Sequence, residues 1–185
     1  MDIKEMLCDN PVIAAVKNIE ELDIALESSV GIVFILFGDL ISMKDIEEKI
    51  SNTNKLCIVH IDLIDGLASR DISIKYLKER TSFKGIISTK PQIIRGAKSL
   101  GLIAIQRMFV FDTLSLNNIN NHLVKECDAV EILPGVIPKV VRKIKGSLNK
   151  EIIVGGLIET KEEVIVALNS GATCVSTTKR EIWEV

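Results

Sequence analysis

Two glycine and hydroxyl stretches near the end of the sequence carry its clearest chemical signal. Gly155-Gly156 closes the apolar run 151–154, and Ser176-Thr177 closes another that begins at Thr173, with Ser176 twenty residues after Gly156. A glycine has no Cβ, so a ligand can approach its backbone closely. Unpaired N–H groups at a helix start favour an anion, and Ser or Thr hydroxyls add donors. Gly155, Gly156, Ser176 and Thr177 therefore read as a cradle for a phosphate group. Lys17, Asp39, His60, Asp62, Lys90, Arg107 and Glu131 each stand where an apolar run gives way to polar sequence. Cations suit a phosphate, and carboxylates accept hydrogen bonds from ligand hydroxyls. The set points to a small phosphorylated ligand carrying hydroxyls. No Ser–His–Asp order, metal triad or Walker motif stands out, so no residue is assigned a catalytic role.

The elements that position these residues follow from the apolar pattern. Short β-like runs fall at 12–16, 32–36, 56–61, 85–87, 103–105, 129–132, 152–154 and 173–175. Helical patterns lie between them at 19–27, 43–50, 68–79, 92–99, 136–148 and 161–169, while 114–123 is diluted by four Asn. Strands alternating with helices, without hairpin signals, indicate parallel βαβ units. Eight units in 185 residues leave about 23 each, below the allotment in a barrel of roughly 250 residues. The expected fold is thus an α/β minimal parallel (β/α)8 TIM-type barrel with some short or missing helices, one domain over 1–185. An open doubly wound sheet would need a glycine-rich phosphate loop after the first strand, and Val16-Lys17-Asn18 stands there instead. Phosphate loops after the last two strands fit the barrel.

Composition narrows the classes further. Hydrophobic residues make up 47% and aromatics 4%, and the formal net charge is −2. A core of Ile, Leu and Val suits fully buried strands, and no bulk positive field advertises nucleic acid or membrane. No apolar run reaches the length of a membrane span, and residues 1–10 do not read as a signal peptide, so a cytoplasmic location is expected. The four cysteines are far apart and read as small buried hydrophobes. Without a Cys-x-x-Cys or a histidine cluster, no metal is expected.

Side chains at the C-terminal ends of barrel strands converge on one mouth, and each candidate also has a plainer reading. His60 reads equally as a core histidine, though Asp62, two residues along an extended strand, would share its side. Lys17 either ends a strand in water or faces the mouth. Arg107 pairs structurally with Glu131 or binds ligand. Asp39 after Gly38 fits a helix N-cap as well as a hydroxyl acceptor.

Taken in order, Pro11–Lys17, Phe37-Gly38-Asp39-Leu40, Val59–Leu67, Gly85–Lys90, Gly101–Arg107, Glu131–Gly135 with Pro138-Lys139, Gly155–Ile158 and Val175-Ser176-Thr177 resemble the glycerol-3-phosphate-responsive antiterminators, the GlpP family. The resemblance implies a small barrel that senses glycerol 3-phosphate as effector, needs no cofactor, and then binds leader mRNA of glycerol-catabolic operons. It implies a regulator whose ligand favours one conformation or homo-oligomer. Several barrel enzymes share such loops, so an isomerase or glycerol-phosphate transferase acting on a small phosphate ester is the alternative, and a barrel that only docks a partner is a third. For RNA, Lys139, Arg142 and Lys143 share a helical face, against a background reading of ordinary solvated charge. Few aromatics are available for base stacking, which favours readout of RNA shape and backbone.

Overall fold

The computed structural model describes residues 3–184. Eight strands, β1 Val12–Val16, β2 Ile32–Ile35, β3 Leu56–His60, β4 Gly85–Ser88, β5 Ile103–Phe109, β6 Ala129–Leu133, β7 Glu151–Gly155 and β8 Cys174–Thr177, close into a barrel in sequence order. Every neighbouring pair is parallel, and β8 returns to β1. The closed order excludes the open doubly wound sheet. Helices α2 Ile19–Glu27, α3 Met43–Ile50, α4 Asp71–Arg80, α5 Pro91–Ser99, α6 Thr113–Asn117, α7 Ile119–His122, α8 Pro138–Ser147 and α9 Lys161–Asn169 form the outer layer. The fifth connection is split into two short helices, where the asparagines dilute the pattern. After β8 only a 3-10 turn, Arg180–Ile182, remains of an eighth helix.

Apart from the end of β5, where Phe109 emerges, both faces of the strands are largely buried, which is why they read as continuous apolar runs rather than alternating ones. Val12, Ala14 and Val16 pack outward with the helices, while Ile13 and Ala15 join Phe34, Ile58, Ile87, Ile105 and Ile153 in the interior. The interior is closed from below by a helix the sequence pattern did not indicate, α1 Ile3–Asp9. Its Leu7 is fully buried among those inward residues, with Ile3 and Met6 beside it. One buried residue in seven leaves almost no periodicity to detect.

Other boundaries moved for local reasons. Pro138 opens α8 two residues later than expected, because proline suits the first helical turn and holds the preceding residue extended. Strand β5 runs on to Phe109, since Met108 and Phe109 pair with Ile132 and Leu133. Cys57, Cys127 and Cys174 are buried as expected, and desolvation pushes the Cys57 thiol up to about 12; Cys8 on α1 is exposed instead. Leu7→Ala should cost about 2–5 kcal/mol in urea unfolding, as for a core leucine. A loss below 1 kcal/mol would mean that α1 does not plug the barrel.

Candidate functional site

Above the apolar interior lies a polar layer, formed by His60, Arg107, Glu131 and Ser176 at the C-terminal ends of β3, β5, β6 and β8. Arg107 stands opposite Glu131 in the β5–β6 register, and its Nε donates to Glu131 Oε2 at 2.6 Å. Ser176 Oγ donates to the other oxygen, Oε1, at 2.7 Å. Glu131 is 1% exposed, so its charge is tolerable only with both oxygens occupied. Between β6 and β8 lies Gly155. A Cβ there would overlap Ser176 Oγ and stand 3.2 Å from Glu131 Oε1. Gly155 thus makes room for a protein hydroxyl, a role different from the ligand approach its sequence position suggests.

Next to this layer opens a cavity of about 130 Å³, walled by Ala15, Leu36 and Leu133 and rimmed by the loops Gly156–Ile158 and Ser176–Thr178, with Arg107 and Glu131 at its edge. A cavity of roughly 150 Å³ holds a benzene, so this slightly smaller space takes a group of about that size, and the rest of a larger molecule would reach out through the mouth. Gly156 and Leu157 both take left-handed backbone, φ +74° and +63°. For leucine this costs about 1–2 kcal/mol, and Leu157 is also largely exposed. Strain at a cavity rim, held by the surrounding packing, marks a loop shaped for more than connection. Among the described residues, no group accepts from the amides of Leu157, Ile158 and Thr178. Gly135 clamps this loop: its N–H donates to Gly155 O at 2.6 Å and to Gly156 O at 3.2 Å.

The hydroxyls are arranged differently from the sequence expectation. Thr177 Oγ1 donates to Ile158 O at 2.9 Å, which ties the two loops together, and Trp183 Nε1 donates to Thr177 O at 2.9 Å from below. Both Ser176 and Thr177 therefore spend their hydroxyls on protein, leaving Thr178 as the rim hydroxyl. Nor do helix starts supply the donors. The α9 start is closed by a capping box in which Glu163 accepts from Glu159 and Thr160 amides.

Several ring residues lie outside this cavity. Asp39 Oδ1 accepts from the amides of Ile41 and Ser42, both at 2.7 Å, so its carboxylate organises the turn before α3, and those bonds hold its pKa below the usual range. Strand β3 stops at His60, and Asp62 sits in a 3-10 turn rather than farther along the same face. Its carboxylate accepts from Ser88 Oγ at 2.9 Å and the Thr89 amide at 2.8 Å, with Lys90 Nζ 3.7 Å away. Lys90 also donates to Ser69 Oγ. Lys17 is exposed beyond the end of β1. Those four residues build the mouth's rim and turns. Cavity residues that the sequence did not mark are Leu36, Leu133, Leu157, Ile158 and Thr178. Only Thr178, in the Ser-Thr-Thr run, left a signal.

His60 is 3% exposed, and its Nδ1 has no partner among the described residues. Desolvation, reinforced by the Arg107 guanidinium and opposed by Asp62, lowers its pKa to about 4. Among the described residues no cluster of His, Cys, Asp and Glu could hold a metal, and no helix is long and apolar enough to cross a membrane.

Fold and site together define an eight-stranded parallel barrel with a small polar cavity at its C-terminal mouth. A family model for the glycerol-3-phosphate responsive antiterminator matches residues 12–183, and the chain belongs to that family. It is similar to the crystal structure of the glycerol uptake operon antiterminator regulatory protein of Listeria monocytogenes, with 33% identity, 94% of each chain covered and a TM-score of 0.88. A glycerol uptake operon antiterminator-related protein of Thermotoga maritima superimposes with a TM-score of 0.83 at 29% identity, over 95% of this chain and 99% of that one. YgcP of Escherichia coli, an uncharacterized protein, is 35% identical over 99% of this chain and 96% of its own length. These relations place the chain with regulators rather than with the barrel enzymes.

Two predictions follow from the polar layer. Gly155→Ala should destabilise the fold by about 1–3 kcal/mol through overpacking, and a Ser176→Ala background should remove most of that cost in chemical denaturation. Equal costs in both backgrounds would refute the packing role. For His60, the unfolded ring binds a proton below about 6.5 whereas the folded ring does so only below about 4. The unfolded state holds more protons in that window, so its contribution to stability is complete above pH 6.5 and lost as pH falls toward 4. His60→Gln should shrink the stability difference between pH 7 and 4.5 by about 2–3 kcal/mol, at 1.36 kcal/mol per pKa unit, measured by urea unfolding.

Proposed function

We propose that this chain binds glycerol 3-phosphate at the barrel mouth and, in that state, binds leader mRNA of glycerol-catabolic genes in the cytoplasm, preventing premature termination. The observation that carries this reading is the coincidence at one cavity of unpaired amides on Leu157, Ile158 and Thr178 with the Arg107 guanidinium. Only Arg107 Nε is engaged, by Glu131, so its terminal nitrogens are available to an anion. Amide donors and a guanidinium are what a phosphate needs. A ligand hydroxyl at the rim would find the Thr178 hydroxyl. The family and the two antiterminator structures support the ligand and its use.

For RNA, the exposed face of α8 carries Lys139, Arg142 and Lys143. Arg142 reaches Ser170 at the end of α9 at 3.2 Å and Lys143 reaches Asn117 of α6 at 3.2 Å, so each is held against a neighbouring element while remaining exposed. A local patch of this kind supplies phosphate contacts despite a net charge of −2. Ligand and RNA must then tighten each other by the same factor.

The test is a titration of the host's glycerol leader transcript with and without glycerol 3-phosphate, alongside calorimetry of the ligand alone. RNA affinity should rise at least five-fold with ligand, within the usual range of coupling, and identical affinities would refute the switch. Gly156→Glu sets a carboxylate at the cavity rim and should abolish both ligand binding and the response. Its unfolding midpoint reports separately on the strain of a side chain at φ +74°.

A further inference from the structure

Resting on the antiterminator reading, we propose that Phe109 and Phe111 form a stacking platform for unpaired bases of the RNA, at the open end of the strand that carries Arg107. The chain has five phenylalanines. Phe34 and Phe83 are buried, yet Phe111 is 82% exposed and Phe109 43%. Their rings are stacked on each other, with centroids 5.7 Å apart and planes within 5°. Leaving a phenylalanine in water forgoes about 1.5–3 kcal/mol of burial, and this barrel does so at Phe111 and in part at Phe109 beside it.

The surroundings decide what covers the pair. On one side of Phe111 lies a groove of about 530 Å³, bounded by Phe109 and Pro91 and edged with Asn118, Ser115 and His122. On the other side a second groove, about 230 Å³, runs between Phe111, Ile137 and Lys139. An exposed pair of stacked rings with open space on either side, an amide, a hydroxyl and an imidazole along one edge and a lysine along the other, matches how single strands are held. Bases stack on aromatic faces, their edges meet side-chain amides, and cations track the backbone. Lys143, whose Nζ reaches Asn117 of α6, joins the α8 cations to the same surface. The one carboxylate here, Asp112, is occupied as the N-cap of α6, where it accepts from the Ser115 amide at 2.8 Å. A self-association surface would be expected to show a broader apolar centre with depleted charge. Here the apolar part is Phe109, Phe111 and Leu114, ringed by Asn118, Ser115, His122 and Lys139.

The platform is also placed to respond to ligand. Arg107 lines both the mouth cavity and the larger groove, and it precedes Phe109 by two residues on β5. An anion that takes up the terminal nitrogens of Arg107 changes one wall of the groove directly. The RNA surface and the ligand site then share a side chain, and no long relay is required.

The platform can be tested with the fluorescein-labelled leader transcript in the presence of glycerol 3-phosphate. Phe111→Ala, at an exposed position, should keep the wild-type unfolding midpoint and glycerol 3-phosphate affinity. It should lose about ten-fold in RNA affinity, the effect of removing one stacked base. In Phe111→Trp the new indole should be quenched by RNA, against a background of one native tryptophan, Trp183, which is buried. Wild-type protein that binds RNA while Phe111→Ala binds equally well, with no quenching in the tryptophan variant, overturns the platform and leaves the antiterminator reading intact. Wild-type protein that binds no leader RNA overturns both. A Phe111→Ala change that alters sedimentation but not RNA affinity assigns the rings to contact between copies and also overturns the platform.

Discussion

The carboxylate of Glu131 is buried at the centre of the barrel mouth, and the geometry around it follows from giving both of its oxygens a partner there. A lone charge at 1% exposure would be untenable, so Arg107 and Ser176 each take one oxygen. That arrangement needs three strands in fixed register: β5 beside β6 to face Arg107 with Glu131, and β8 close enough for Ser176 to reach across. It also needs position 155 to lack a Cβ, because the serine hydroxyl occupies that space. Gly155 is therefore a packing requirement of the ion pair, and Gly156, with its left-handed backbone, is the residue that turns the loop toward the cavity.

With its Nε committed to Glu131, Arg107 is held rigidly while its outer nitrogens stay available. The pair is locally neutral, which matters for any anion that enters. A carboxylate and a phosphate oxygen 4 Å apart repel by about 4 kcal/mol at an effective dielectric of 20, and the guanidinium offsets this by a similar amount. In the proposed reading, selection of an anion falls to the loop amides. Their positions depend on the clamps at Gly135, Thr177 and Trp183, which hold the β7 and β8 loops to each other and to the chain end.

Much of this barrel is legible in the sequence because its strands are buried on both faces. Continuous Ile and Val runs at a regular spacing leave few alternatives to parallel βαβ units, and the two phosphate-type loops point to the end that matters. What sequence could not resolve were side-chain destinations. Asp39 and Asp62 look like ligand groups because they follow apolar runs, yet Asp39 is captured by the amides of its own turn and Asp62 by Ser88 and Thr89 at the end of the neighbouring strand. That competition depends on turn geometry, and a two-residue period cannot reveal where a strand stops. Hydroxyls at 176 and 177 were visible as donors, but not their partners, which come from 45 and 19 residues away. Leu36 and Leu133 are ordinary apolar residues until the barrel closes and makes them cavity walls. Helix α1 left no signal because only Leu7 is buried.

The exposed aromatic pair shows the same limit from the opposite direction. Composition alone, at 4% aromatic, argues against base stacking, because it counts rings without locating them. Two rings placed together at the rim can serve a single strand better than many dispersed in a core. Their position follows from the extra length of β5: Phe109 pairs with Leu133 at the end of the ladder, and the chain then leaves the barrel with Phe111 beyond its packing. The same strand extension keeps Arg107 inside and Phe109 at the rim, so the mouth cavity and the outer surface are separated by two residues of one rigid element. In a barrel whose interior is tightly filled, that short connection is a more economical route for coupling than a rearrangement of the core, which would have to break the Glu131 ion pair.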